Sequence, residues 1–143
     1  MKRLLPILVT ALVVFGMTLA ERAFVRGVRR SMLKRAIGDL RILAGAIENY
    51  RCLHGTYPGS LGVDTFGSQD PASAIIRSET ESIAYFTIPS FTSYTLLFRY
   101  AGGASFSGFE LRDGRWVSWP DVFSADDLAY TEQAILSARN CRP

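Results

Sequence analysis

The sequence predicts an α+β protein in which an N-terminal membrane span continues into a long amphipathic helix. This helix is expected to pack on a small antiparallel sheet of three or four strands, followed by a short C-terminal helix. Three observations predict this class: an uncharged apolar run, an apolar stripe at helical spacing behind it, and a later change to strand-type alternation. The 143 residues fit a membrane segment over residues 1–20 and one domain over residues 21–143.

The first element is an apolar segment, residues 4–20, which contains no charged residue. As a helix it would be about 25 Å long, near the short end of membrane spans. An uncleaved membrane anchor is the preferred interpretation, and a signal peptide cut after Ala20 or a buried core helix are the alternatives. The core helix is disfavoured because the segment lacks polar positions at helical spacing.

Charge is distributed unevenly along the chain. Residues 1–41 contain nine cations and two anions, whereas residues 42–143 contain seven cations and eleven anions, so the net charge of +3 conceals two opposite parts. The basic cluster behind the apolar segment is expected to contact anionic lipid headgroups, at about 1 kcal/mol per side chain. Because the following domain is acidic, nucleic acid is not expected as a partner. The cluster consists of Arg22, Arg26, Arg29, Arg30, Lys34 and Arg35.

Residues 21–51 predict a long helix, since no proline interrupts them. Apolar side chains recur there every three or four residues and predict a packing and assembly face. This face consists of Leu33, Ile37, Leu40, Leu43, Ala44, Ile47 and Tyr50. The helix is expected to end at Gly55-Thr56-Tyr57-Pro58, because proline and glycine prevent its continuation.

The remaining elements follow from composition and period. Residues 55–82 predict a long loop with one helical turn near residues 72–77. Residues 83–119 predict the antiparallel sheet, because β-branched and aromatic side chains alternate with polar ones. Residues 124–138 predict a helix that Ser124 caps, with Asp127 at the reciprocal position of a capping box.

Asp113-Gly114 predicts the tightest turn of the sheet. This dipeptide supplies the positive φ angles of a two-residue type I′ turn between two strands. The hairpin would place Leu111 beside Trp116 on one face and Glu110 beside Val117 on the other.

Cys52 and Cys141 predict either a disulfide or two free thiols. A bridge would close a loop of about 90 residues and stabilise the fold by roughly 4–5 kcal/mol in the chain-entropy account. It requires an oxidising compartment. The basic cluster argues for the opposite location, because the positive-inside bias would keep the domain in the cytoplasm.

The residues offer little for catalysis or metal binding. His54 is the sole histidine, and an exposed or capping role is favoured over the alternative of a small hydrolase. No cofactor is expected, although four aspartates in or near loops could share a calcium ion without matching a known ligand spacing. These are Asp113, Asp121, Asp126 and Asp127.

The stretch from Arg35 to Tyr50, followed by Gly55-Thr56-Tyr57-Pro58, resembles the major pseudopilins of type II secretion. In that family an amphipathic helix ends in A-I-x-x-Y and is followed by G-x-Y-P. The chain departs from the family in two respects. The segment similar to a prepilin cleavage motif, residues 16–21, lies at the end of the apolar run, whereas the family's motif precedes its hydrophobic segment, and the acidic calcium-binding segment is missing.

The resemblance implies a pilin-like fold in which the ring of Tyr50 packs below the sheet. It implies a non-enzymatic structural protein of the bacterial inner membrane, with a single span and a periplasmic C-terminal domain. Membrane lipid, pilin-like or secretion-system proteins and further copies of the chain are then the expected partners. The alternative is a stand-alone envelope protein that reuses this scaffold to bind a partner or ligand.

Overall fold

The computed structural model describes residues 4–62, 64–79, 83–88, 90–100, 107–119 and 123–141, without the side chains of residues 4–11, 79, 100, 107 and 108. The class is α+β, with a long N-terminal helix, a four-stranded antiparallel sheet and a short C-terminal helix, as predicted. The elements in chain order are α1 (Leu4–His54), α2 (Pro71–Glu79), β1 (Ile83–Thr87), β2 (Tyr94–Tyr100), β3 (Ser107–Arg112), β4 (Arg115–Ser118) and α3 (Ala125–Arg139).

The chain divides into two compact units, and the boundary between them falls inside α1, between Lys34 and Arg35. Nearly all described side chains of the first unit are exposed. Among the described residues, no helix combines the length and the apolar character needed to cross a membrane. Residues 1–3 of the predicted membrane segment, and the side chains of residues 4–11, lie outside that description.

The apolar stripe of α1 is largely internal. Leu33, Leu40, Leu43, Ala44 and Ile47 are all fully buried, whereas Ile37 and Tyr50 are half-buried. Within the second unit, Leu43 lines a cavity together with Ile83 and Tyr85 of β1. This part of the stripe therefore belongs to the core of a single chain.

The sheet is a meander in the order β1-β2-β3-β4, and every neighbouring pair is antiparallel. One cross-strand row consists of Tyr85, Leu96, Leu111 and Trp116, the last three of which are buried. This row marks the inner face of the sheet, because successive side chains of a strand alternate between two faces.

The β3–β4 hairpin confirms one predicted pairing and corrects the other. Asp113 and Gly114 have φ angles of 49° and 79°, and Leu111 lies opposite Trp116. However, Glu110 pairs with Ser118, so the predicted pairing of Glu110 with Val117 is wrong. The reason is a register shift between Glu110 and Leu111, which gives β4 one extra residue at this point.

Both short helices begin with a side-chain cap. Asp70 accepts a hydrogen bond from the backbone N–H of Ala72 at 2.8 Å, and α2 extends beyond the single turn predicted near residues 72–77. Ser124 Oγ accepts from the backbone N–H of Asp127 at 3.2 Å, as predicted for the start of α3. Leu128 and Ile135 form the buried side of α3.

Candidate functional site

A buried carboxylate lies near the C-terminal end of α1. The side chain of Glu48 has no solvent exposure and accepts a hydrogen bond from Arg51 Nε at 3.1 Å. The hydroxyl of Tyr57 donates to both of its oxygens, at 3.1 and 3.2 Å. A buried charged group is tolerated only when it is paired and hydrogen-bonded, and this cluster supplies both conditions.

Arg51 connects the carboxylate to the end of the chain. Its Nη2 donates to the backbone carbonyl of Arg139, the last residue of α3, at 2.6 Å. The same nitrogen lies 3.7 Å from Cys141 Sγ, and the guanidinium carbon lies 5.7 Å from the ring centroid of Tyr57. One side chain thus contacts α1, α3 and the segment that leads out of α1.

Cys52 and Cys141 are joined in a disulfide, which is one of the two states expected from the sequence. Their Cα atoms are 5.4 Å apart, and their sequence separation is 89. The bridge begins one residue after Arg51, so it fixes the C-terminal segment at the same place as the Arg51 hydrogen bonds.

The G-x-Y-P segment forms the connection between α1 and the sheet. Gly55 has a φ angle of 78°, and its N–H donates to the carbonyl of Arg51 at 2.7 Å, which ends the helix. The N–H of Tyr57 donates to the carbonyl of Phe91 at 3.0 Å, and the carbonyl of Pro58 accepts from the hydroxyl of Tyr85 at 2.6 Å. The motif is therefore held by backbone and side-chain hydrogen bonds to residues of and beside β1.

The aromatic contact with the sheet is made by the tyrosine of this segment. Tyr57 packs edge-on against Tyr94, with ring centroids 4.9 Å apart. Tyr50, which the resemblance placed below the sheet, packs on His54 at 4.1 Å and on Phe66 at 6.4 Å.

Three phenols in this region are held in their neutral form. Burial, reinforced by the nearby Glu48 carboxylate, raises the pKa of Tyr57 to about 12. Burial also raises the pKa of Tyr85 to about 12, and burial with Glu48 raises the pKa of Tyr94 further. The hydroxyl of Tyr94 is buried and has no hydrogen-bond partner among the described residues. These phenols can donate hydrogen bonds, but near neutral pH they do not act as bases.

The predicted basic cluster lies on an amphipathic part of α1. Arg22, Arg26, Arg30 and Lys34 follow one another at intervals of four residues and are exposed. Arg29 is half-buried, and Arg35 Nε lies 3.8 Å from Asp39 Oδ2. A separate apolar stripe is also exposed and was not identified from the sequence, although its spacing of three and four residues could have shown it. It contains Val25, Val28 and Met32.

Two of the four aspartates considered for calcium have other partners. Asp113 accepts hydrogen bonds from Ser93 Oγ and from the N–H of Tyr94, both at 2.9 Å. Asp127 accepts from Ser124 Oγ, and Asp121 lies outside the described residues. Within the described part of the chain, no three His, Cys, Asp or Glu side chains are grouped to hold a metal ion.

A cavity of about 310 Å³ lies beside β1 in the second unit, a volume near the lower limit for small-molecule sites. Its aliphatic walls are Leu43, Leu61, Ile76 and Ile83. The hydroxyl of Tyr85, also at the wall, already donates to the carbonyl of Pro58. Gly59 and Ser60 also line the cavity, so its wall combines aliphatic and polar groups.

Comparisons with models of protein families, with curated proteins and with solved structures give no match. Function must therefore be argued from the residues of this chain. The sequence analysis singled out Cys52 and Cys141 as a possible disulfide, and it singled out the G-x-Y-P segment. It did not identify Glu48, which lies four residues after the buried Ala44 and so on the same side of α1.

Proposed function

We propose that the chain is a non-enzymatic, membrane-anchored structural protein of the pilin or pseudopilin kind, which works with a type II secretion or type IV pilus-like system. One observation carries this proposal. The large apolar side chains of residues 12–19 are exposed, with 71% of Leu12, 65% of Phe15 and 68% of Met17 accessible. Soluble monomers rarely expose a contiguous apolar surface of this kind, and a bilayer or the helices of neighbouring subunits would cover it.

The next segment of α1 supports contact with a membrane surface. Between residues 22 and 34 an exposed basic stripe, beginning with Arg22 and Arg26, is separate from the exposed apolar stripe of Val25, Val28 and Met32. Helices with these two faces lie at the boundary between headgroups and acyl chains, where arginines attract anionic lipid.

The disulfide supports placing the C-terminal domain in the periplasm. Cys52 and Cys141 are paired, and structural disulfides persist in oxidising compartments. The charge pattern argues the other way, because the cations that follow the apolar segment outnumber those before it. The disulfide and the charge pattern therefore predict opposite orientations of the domain.

A pair of fusions after Pro143 tests the orientation. Alkaline phosphatase folds to an active enzyme only in an oxidising compartment, whereas green fluorescent protein exported by the Sec route does not fluoresce there. We expect the phosphatase fusion to be active in the membrane fraction and the green fluorescent protein fusion not to fluoresce. An inactive phosphatase fusion together with a fluorescent green fluorescent protein fusion would indicate a cytoplasmic domain and refute the proposal. Phosphatase fused to a chain that lacks residues 1–20 is the matched control.

A second candidate function is a stand-alone envelope protein that binds a partner or ligand on the same scaffold. The burial of Leu40, Leu43 and Ile47 favours it, because these side chains of the predicted assembly face are not available to neighbouring helices. A photo-crosslinker at the exposed Ile42 of α1 separates the two candidates in living cells. Crosslinked copies of the chain support assembly, and crosslinks to an unrelated protein alone support the stand-alone function. Neighbouring genes for a secretion ATPase and a prepilin peptidase would favour assembly.

A further inference from the structure

The outer face of the sheet is exposed and basic. Cross-strand register places Phe86, Thr95, Arg112 and Arg115 in one row across all four strands. Among the described residues, the cations of this face are Arg99, Arg112 and Arg115, all of which are exposed, and its anion is Glu110. Arg112 therefore lies directly opposite a residue of the same charge, an arrangement that destabilises a strand pair.

The charges of this face are only partly balanced within the chain. Arg112 Nη2 lies 2.7 Å from Glu110 Oε1. Arg99 and Arg115 make no ion pair with any described residue. Phe86, in the same cross-strand row as Arg115, is 55% exposed. Arginine and aromatic side chains together are typical of protein–protein interfaces, where each can be buried by a partner.

The rest of the domain has the complementary charge. After the three arginines and Glu110 are set aside, residues 42–143 contain four cations and ten anions. An exposed acidic segment begins α3, where Asp126 and Asp127 are adjacent and Tyr130 follows one turn later with 67% of its surface accessible. Asp126 makes no ion pair with any described residue.

We propose that the outer face of the sheet binds the N-terminal end of α3 of a second copy of the chain. Arg99 and Arg115 would contact the adjacent carboxylates of Asp126 and Asp127. Phe86 would pack against the ring of Tyr130. The inference rests on the proposed structural function and names the contact through which subunits would assemble.

The two surfaces differ, so the contact joins one copy to the next in a single direction. Within one chain α3 packs on the side of Trp116, whose Nε1 donates to the carbonyl of Leu128 at 3.3 Å, while Arg112 and Arg115 belong to the other face. A contact between unlike surfaces can repeat along an open row of subunits or close into a ring.

The test measures energy transfer between donor- and acceptor-labelled full-length chains in lipid vesicles, with labels attached enzymatically at the C terminus. Arg115→Glu and Asp126→Arg should each weaken association about tenfold or more, since each places like charges in contact. An equal mixture of the two variants should recover the wild-type signal, because every contact in it can pair opposite charges. Added salt should weaken the wild-type association.

Arg77→Glu is the matched control, because Arg77 is an exposed arginine that belongs to α2 and not to a strand of the sheet. It should leave the signal unchanged. Two outcomes would overturn this interface: association that persists in Arg115→Glu and Asp126→Arg, or a mixture of the two variants that fails to recover the wild-type energy transfer. Either outcome would still be consistent with assembly through other surfaces. If the wild-type chain shows no association in vesicles, both this contact and the assembling function are refuted.

Discussion

The hydroxyl of Tyr57 donates to both oxygens of the Glu48 carboxylate, across the end of α1. Tyr57 belongs to the G-x-Y-P segment, and Glu48 belongs to the buried side of the helix. The tyrosine therefore satisfies a buried carboxylate, in addition to turning the chain toward the sheet. Without this hydroxyl, Arg51 would be the remaining hydrogen-bond partner, among the described residues, of a fully buried carboxylate.

Tyr57→Phe is expected to lower the free energy of unfolding by about 1.5–3 kcal/mol, the range for hydrogen bonds to charged groups. The ring and its packing on Tyr94 are retained, so the loss reports the hydroxyl. Urea unfolding followed by circular dichroism measures it. Tyr130→Phe removes an exposed hydroxyl and should change stability by less than about 0.5 kcal/mol. Equal effects of the two substitutions would contradict the role of the Glu48 contact.

Stability should fall at alkaline pH because of the buried phenols. The pKa values of Tyr57 and Tyr85 rise from 10.0 to about 12 on folding, so the folded chain keeps these protons to higher pH than the unfolded chain. The stability that the folded chain gains from keeping these phenols neutral is complete below pH 10 and is lost as the pH rises from 10 toward 12. Urea unfolding at intervals between pH 9 and pH 12 should show this decrease.

A variant with both Tyr57→Phe and Tyr85→Phe should show a shallower decrease over the same pH range. Tyr94, whose pKa is also raised by burial, maintains part of the slope in that variant. An unchanged slope would mean that other groups cause the alkaline loss of stability.

The disulfide should be a major source of stability. Replacing both cysteines, as Cys52→Ser with Cys141→Ser, restores the freedom of a long loop in the unfolded chain and is expected to cost about 4–5 kcal/mol. Urea unfolding of the wild-type chain with and without a thiol reductant measures independently the free energy of unfolding that the disulfide contributes. The serine variant should not respond to the reductant. Coincident unfolding curves for oxidised and reduced wild-type protein would refute the prediction.

The fold class was predictable because each element has its own local signal. The change from helical to alternating spacing near Ile83 indicated the sheet, and Asp113-Gly114 indicated its hairpin. The bulge was not predictable, since Val117 continues an acceptable alternation and the extra residue becomes visible only when the strands pair. Register depends on the partner strand, and local pattern cannot supply that information.

The candidate site was predictable only in part. Gly55 and Pro58 have conformational preferences that identify a turn without any tertiary contact. The burial of Glu48 could not be predicted from the helical pattern, because carboxylates are almost never fully buried unless they are paired. Its partners come from residues 51 and 57, on the last turn of the helix and beyond it, so their convergence depends on how the chain leaves α1.

Two glycines with nearly equal backbone angles should respond differently to alanine. Gly55 and Gly114 have φ angles of 78° and 79°, so each substitution carries the cost of a left-handed side chain, about 1–2 kcal/mol. At Gly55 an added Cβ meets no atom within 4 Å, whereas at Gly114 it would lie 2.9 Å from Cγ2 of Ile135 in α3. Cγ2 moves only with rotation about χ1 of Ile135, and a β-branched side chain in a helix has one strongly preferred χ1 rotamer.

Gly114→Ala is therefore expected to lose about 1–3 kcal/mol more than Gly55→Ala, since overpacking of a well-filled core costs that amount. Urea unfolding of both variants under the same conditions measures the difference, and Gly55→Ala serves as the control for backbone strain. The amide protons of α3 should also exchange faster in Gly114→Ala than in Gly55→Ala, because the clash displaces that helix. Equal losses of stability with unchanged exchange in α3 would show that α3 does not pack as closely on the β3–β4 turn as the contact with Ile135 requires.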